Sequence, residues 1–375
     1  MTGTIEDRLA PVDEAPVPRP GILDIAPYVG GESKIAGANR VIRLASNESA
    51  LGPSPKALAA YRAIAEEIFR YPDGASVELR HAIAQHFNLD PARIVCGTGS
   101  DELIALLGKC YAGPGDEVIY TRHGFAMFPL AAQSAGATPV AVPEKNLTAD
   151  VDAILAHVNE RTRLIFLANP NNPTGTYIDR GEVERLYRGV PRNCILVLDA
   201  AYSEFVDRPD YEPGLALAKT APNVVMLRTF SKIHALAGLR IGWSYSCAAI
   251  ADVFNRTRGT FNVGLASQAA AIASLADTAA LERARAHNLR WRPWLEENIR
   301  ALGLEISPTV ANFVLVKFGA APKDAAAARD FLKSRFILVR QMASYHLPDY
   351  LRITVGTEEE NRAVVAALAE FAGRK

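Results

Sequence analysis

Apolar positions along the chain fall into two kinds of run, and from about Ser54 onward the two alternate. Leu79, Ile83 and Phe87 recur at i, i+4 and i+8, one face of a helix. Leu103, Ile104, Leu107 and Tyr111 form a second helical stripe. Strand-like runs lie at Arg93–Cys96, Glu117–Thr121, Thr138–Val142, Arg163–Ala168, Cys194–Asp199, Val224–Thr229 and Arg240–Tyr245. The apolar runs among them lack strict alternation, as strands covered on both faces do. Helical patterns at Ala149–His157 and Gly181–Arg188 separate several of them. This order predicts an α/β fold: a three-layer α/β/α large domain around a mostly parallel sheet.

The Ala-rich stretch Ser267–Ala301 reads as one long helix or two shorter ones. Beyond it, Phe313–Phe318, Ile337–Val339 and Leu351–Val355 predict strands of a smaller α/β domain, closed by a helix over Glu358–Ala372. The expected division is a mobile, proline-rich arm over 1–27, a large domain over 50–275, and a small domain built from 28–49 and 276–375. The boundary falls within helix, near 265–285. There is no internal repeat.

Composition narrows the function classes. With 49% hydrophobic residues the chain can bury large cores, which excludes disorder throughout and collagen-like repeats. Lys+Arg 41 against Asp+Glu 41 leaves no general field for nucleic acid or an anionic membrane. An acidic ligand must therefore be held by a few placed cations. The four cysteines, Cys96, Cys110, Cys194 and Cys247, form no CxxC pair and read as small core residues. The start has neither a basic nor an apolar leader region, and no apolar run approaches the ~18 residues of a membrane helix. A soluble, cytoplasmic protein is expected. No histidine–carboxylate spacing suggests a metal site. His123 and His234, the two histidines near the motifs below, read as structural or supporting.

In open α/β sheets ligands bind beyond the carboxyl ends of strands. After Arg93–Cys96 comes Gly97-Thr98-Gly99-Ser100-Asp101, opening a helix: an anion site, or a tight turn alone. A dinucleotide-binding GxGxxG fails at its third glycine, where Glu102 stands. After Arg163–Ala168 comes Asn169-Pro170-Asn171-Asn172-Pro173-Thr174-Gly175, whose prolines force a loop that presents a rigid amide, or simply a turn. Asp199 ends a buried apolar strand, which is costly unless it meets a positive partner or caps a helix. Thr229-Phe230-Ser231-Lys232 follows the next strand, with Arg240 eight residues on from Lys232. The order of these features, each at the end of a strand of one sheet, carries more than any one of them.

That ordered set resembles the fold type I, pyridoxal phosphate-dependent aminotransferases. More closely, it is similar to their histidinol-phosphate aminotransferase branch. The resemblance is carried by Gly97–Glu102, Asn169–Gly175, Asp199–Phe205, Phe230–Trp243 and Leu351–Thr357. Pro27-Tyr28, Ser46-Asn47-Glu48, Leu51-Gly52-Pro53-Ser54-Pro55 and Arg70-Tyr71-Pro72-Asp73-Gly74 add to it. It implies pyridoxal 5'-phosphate as cofactor. Lys232 is implied as the amine that bonds to its aldehyde and later moves a proton, and Asp199 as the partner of the ring nitrogen. Asn172 and Tyr202 would bond the phenolic oxygen. Gly99, Ser100, Asp101, Ser231 and Arg240, with Thr229 nearby, would hold the phosphate. Phe125 would stack on the ring, and Tyr71 would reach the phosphate of the neighbouring subunit in a homodimer.

For substrate, the resemblance implies Arg352 as the clamp on the carboxylate of glutamate and on the phosphate of histidinol phosphate, exchanged against 2-oxoglutarate. Arg340 would be a second cation, or a surface ion pair, and Tyr28 and Asn47 would line the pocket. The sequence departs from the family pattern at Ser49-Ala50, at Phe125, where a tyrosine is common, and at Arg122-His123-Gly124. These departures leave room for an aromatic amino-acid aminotransferase. A decarboxylase of amino acid phosphates shares the same cofactor residues. Two outside classes are a cofactor-binding regulator, for which the arm is too short and not basic, and a nicotinamide dehydrogenase, which leaves Ser231-Lys232 unexplained.

Overall fold

The computed structural model describes residues 16–27, 30–37 and 40–374. Its strands are β1 (Ile42–Leu44), β2 (Ile94–Gly97), β3 (Glu117–Thr121), β4 (Thr138–Val142), β5 (Thr162–Ala168), β6 (Ile195–Asp199), β7 (Val224–Thr229), β8 (Gly242–Tyr245), β9 (Glu305–Ser307), β10 (Phe313–Lys317), β11 (Ile337–Met342) and β12 (Leu347–Thr354). Seven of them form one sheet in the order β2-β8-β7-β6-β5-β3-β4. β3 to β7 pair in parallel, while β8 runs antiparallel to both β2 and β7. Period-two alternation sends Ile165, Leu167, Leu196, Leu198 and Met226 to one core. Leu164, Phe166, Ile195, Val197 and Leu227 go to the other. Helices cover both faces, so the absence of polar alternation in β5–β7 has its cause in two-sided burial.

The remaining strands form a five-stranded sheet in the order β1-β11-β12-β10-β9, antiparallel except for β1 beside β11. Its core joins Leu44, Val314, Val316, Leu351 and Ile353 to Trp291, Leu295 and Ile299 of the helix Thr278–Ala301. Helical Ser267–Ala301 divides in two: Leu265–Leu275, then Thr278–Ala301, whose start is capped by the Asp277 carboxylate. Two strands escape the hydrophobic pattern, β1 and β9, each three residues long and too short to show a period. Among the described residues no helix is long and apolar enough to cross a membrane.

Topology decides where the chemistry collects. β2, β5, β6 and β7 all end at one edge of the large sheet, and β8 begins there, just after Arg240. The small sheet brings β12 to the same place: Leu351 and Ile353 anchor in its core, and the intervening Arg352 points away from them. The helix after β12, Glu358–Ala372, starts in a reciprocal cap in which Thr357 Oγ1 accepts from Glu360 N–H and the Glu360 carboxylate accepts from Thr357 N–H. Thr357→Ala removes one arm of that cap and is expected to lower unfolding stability by about 1 kcal/mol, read as a lower urea midpoint at unchanged slope.

Candidate active site

At the carboxyl edge of the large sheet lies a cavity of ≈ 280 Å³, walled on its other side by β11 and β12. Its anion-holding end is built by close backbone approach. Gly99 opens the helix Gly99–Tyr111 at φ +78, and a Cβ there would lie 2.6 Å from the Arg240 guanidinium. A Cβ on Gly242 would meet the Ser100 amide nitrogen at 2.5 Å. Both glycines are therefore needed to seat Arg240 against the helix N-terminus. Arg240 bonds Asp101 Oδ2 at 3.1 Å and Ser231 Oγ at 3.4 Å. The Thr229 hydroxyl is committed to the backbone: it accepts from Ser231 N–H at 3.1 Å and donates to the Ile241 carbonyl at 3.4 Å. Free helix N–H groups, a serine and an arginine together suit a phosphate.

Asp199 lies at the far end of the same cavity. It is buried, and its carboxylate accepts one hydrogen bond, from Ala201 N–H at 3.1 Å. Burial pushes its pKa up to about 7, with the Asp101 charge adding to the rise and the Ala201 bond and the Lys232 charge opposing it. Lys232 donates from Nζ to the Ser46 carbonyl at 3.2 Å and sits 5.5 Å over the Tyr202 ring. Burial, followed by the Arg352 charge, lowers its pKa to about 8. A lysine so placed is partly a free amine near neutral pH.

Two further groups have orientations fixed by their neighbours. Arg352 donates from Nη1 to Asn172 Oδ1, so the Asn172 amide nitrogen must face the other way, and it makes no hydrogen bond among the described residues. Asn47 Nδ2 donates to the Tyr202 hydroxyl at 2.9 Å, leaving the Tyr202 O–H as a donor. Burial pushes the Tyr202 pKa up to about 12, so that proton is retained. Asn47 itself is buried at φ 56 and also held by Thr354, through its N–H at 3.0 Å and its Oδ1 at 3.3 Å. It lines the cavity while its amide orients Tyr202.

Of the residues expected here, Asn47, Ser100, Asp101, Phe125, Asn172, Asp199, Tyr202, Thr229, Ser231, Lys232, Arg240, Arg340 and Arg352 all line this one cavity. Gly99 is behind it, against Arg240. Tyr71 is not in it: its ring is 81% exposed and stacks on Phe261 at 4.5 Å. Tyr28 lies outside the described residues. The sequence reading missed Glu48 and Tyr345, which also line the cavity. Glu48 could have been found beside Asn47 in its motif. Tyr345 comes from the β11–β12 connection and had no signal of its own.

The donor set fits pyridoxal phosphate. A buried carboxylate with one backbone hydrogen bond can receive a protonated ring nitrogen, an amide N–H and a phenol O–H are aimed by their own partners, an amine faces the same space, and a phosphate cradle closes one end. The chain matches the class I and II aminotransferase family over residues 39–368. It is 56% identical to the histidinol-phosphate aminotransferase of Paramagnetospirillum magneticum over 360 residues, covering 96% of this chain and 99% of that one. The protein of the same name from Rhodospirillum centenum is 56% identical over 356 residues, 95% of this chain and 98% of its own. Among solved structures, histidinol-phosphate aminotransferase from Sinorhizobium meliloti in complex with pyridoxal-5'-phosphate superposes with a TM-score of 0.87 at 32% identity, covering 95% of this chain and 97% of that one.

An acid whose pKa is raised to about 7 binds its proton more tightly folded than unfolded. The cofactor-free chain therefore loses stability as pH rises from about 4 to about 7. Asp199→Asn removes that loss. In thermal melts of cofactor-free protein the variant should match the parent near pH 4 and melt above it near pH 8.

Proposed function

The chain belongs to the class I and II aminotransferase family, and from that membership we propose that it exchanges the amino group between L-histidinol phosphate and 2-oxoglutarate, yielding imidazole acetol phosphate and L-glutamate. This is a step of histidine biosynthesis. The observation that carries the substrate reading is a cross-strand pair: Arg340 on β11 and Arg352 on β12 are register partners, and both line the cavity. Two guanidinium groups on one wall offer charge-assisted, bidentate bonds to an anionic ligand group. Glutamate offers a carboxylate to this pair and histidinol phosphate a phosphate, so one cationic wall serves both halves of a ping-pong exchange.

Pyridoxal 5'-phosphate is the cofactor, and when bound it supplies the aldehyde that carries the amino group and a ring that withdraws electrons. The chain supplies the rest. The Asp199 carboxylate meets the ring nitrogen and keeps its proton in place. Asn172 N–H and Tyr202 O–H bond the phenolic oxygen. Ser231, Arg240, Ser100, Asp101 and Gly99 hold the phosphate, Thr229 braces Ser231, and Phe125 covers the ring. Lys232 Nζ, held near Ser46 and lowered in pKa, would take up and return the proton at the substrate Cα.

The working unit is read as a homodimer. Ile68, Phe69 and Tyr71 are 75%, 73% and 81% exposed on one short segment, an apolar surface that a second copy would cover. From there Tyr71 would reach the partner's cofactor phosphate. Residues 50–275 form the cofactor-holding unit. The described residues of 28–49 and 276–375 are assigned to the smaller one, which carries both arginines, and most of the arm, residues 1–15, lies outside the described residues. All four cysteines are free, which supports a reducing compartment such as the cytoplasm.

The reading is tested by titrating the holoenzyme with L-histidinol phosphate and, in parallel, with L-phenylalanine, following the visible band of the cofactor. Histidinol phosphate should change the band at low concentration and phenylalanine weakly; the reverse order would move the activity to aromatic amino acids. Arg340→Ala should raise KM for histidinol phosphate about tenfold or more, the value of one charge-assisted bond. Equal effects on histidinol phosphate and phenylalanine would remove Arg340 from phosphate recognition. Sedimentation should give a dimer, and a fully active monomer would end the role given to Tyr71.

A further inference from the structure

Beside the cavity, on the side away from the phosphate cradle, a histidine and a glutamate are packed where neither the cofactor nor the substrate needs them. His123 follows β3 and precedes Phe125 by two residues. Its side chain is 14% exposed and that of Glu144 is 2% exposed. The Glu144 carboxylate accepts the His123 backbone N–H at 2.7 Å through Oε1, while Oε2 lies 3.9 Å from His123 Nε2 with no hydrogen-bond partner. The other ring nitrogen crosses the cleft: His123 Nδ1 is 2.7 Å from the carbonyl oxygen of Tyr345, between β11 and β12. A carbonyl only accepts, so Nδ1 carries the hydrogen. The His123 carbonyl in turn accepts from Asn171 Nδ2 at 3.2 Å, one residue before Asn172.

We propose that His123 is a positioning residue that ties three cavity walls together. Its Nδ1–H to the Tyr345 carbonyl locks the connection beside Arg340 onto the loop carrying Phe125, and its own carbonyl fixes the loop carrying Asn172. Glu144 holds the backbone of His123 and packs beside its ring. Phe125, Asn172 and Tyr345 all line the cavity, and His123 bonds the Tyr345 carbonyl and the residue before Asn172 from two positions before Phe125. The tether acts on how often the small sheet is docked, so its loss should appear in substrate affinity and in local opening, with the chemical groups left in place. This inference needs only that the cavity binds an amino donor, and it does not depend on which donor is physiological.

The test compares the holoenzyme with three variants. The Asn side chain places an amide N–H where Nδ1–H was, whereas Leu offers no donor. Gln reaches toward the Nε2 position and serves as a second loss variant should His123→Leu fail to fold. His123→Leu and His123→Gln should raise KM for L-glutamate by about three- to tenfold, the range of one hydrogen bond, with kcat nearly unchanged. His123→Asn should restore KM to near the parent value. Hydrogen–deuterium exchange of the segment 343–347 should quicken in the loss variants and not in His123→Asn, a readout that needs no turnover. Asn and Leu variants that behave alike, or a kcat loss at unchanged KM and unchanged exchange, would overturn the proposal.

Discussion

Desolvation of one carboxylate organises the site. β6 is buried along its whole length, and the strand ends in Asp199, an acid placed where water cannot solvate it. Even with the Lys232 charge acting against it, burial holds this group's pKa up at about 7. The cost is tolerable because parallel strands on both sides saturate the surrounding backbone: Asn169 N–H bonds the Asp199 carbonyl and Ala200 N–H bonds Leu227. A buried charge without a partner is a poor structural element and a good receptor for a protonated ring nitrogen. The sheet around it is the rigid frame such a receptor requires.

Around this point the structure commits most polar side chains to one another before any ligand arrives. Arg352 fixes the Asn172 amide, Asn47 fixes the Tyr202 hydroxyl, and Thr354 fixes Asn47. Thr229 fixes the backbone of Ser231, and Gly99 lets Arg240 close on the helix N-terminus. Apart from the local Thr229–Ser231 bond, these contacts join segments far apart in sequence, and several join the two sheets. Donors aimed in this way lose little freedom when a ligand binds, which is the physical content of preorganisation.

The large sheet was legible because two-sided burial writes itself as unbroken apolar runs, and β5, β6 and β7 are such runs. Their ends marked Asn172, Asp199 and Lys232 in the right order along one edge. β1 and β9 were not legible, since three residues carry no period, and the antiparallel sense of β8 leaves no trace in local pattern. Engagement of the Asn47 amide with Tyr202 and Thr354 was equally hidden, being set by tertiary approach alone. Tyr345 enters the cavity through a connection whose local sequence announces only a turn. What the sequence could not show, in each case, is a contact between elements that have no common neighbour along the chain.

Arg352 touches the Asn172 amide and the Ala45 carbonyl at once, and it also lines the cavity. In the function proposed above, the guanidinium that would grip the ligand is the one that orients Asn172, so substrate grip and ring electronics would share a single side chain. On that reading, an exchange at position 352 made to redirect the scaffold toward new amino donors would also retune the colour and acidity of the chromophore.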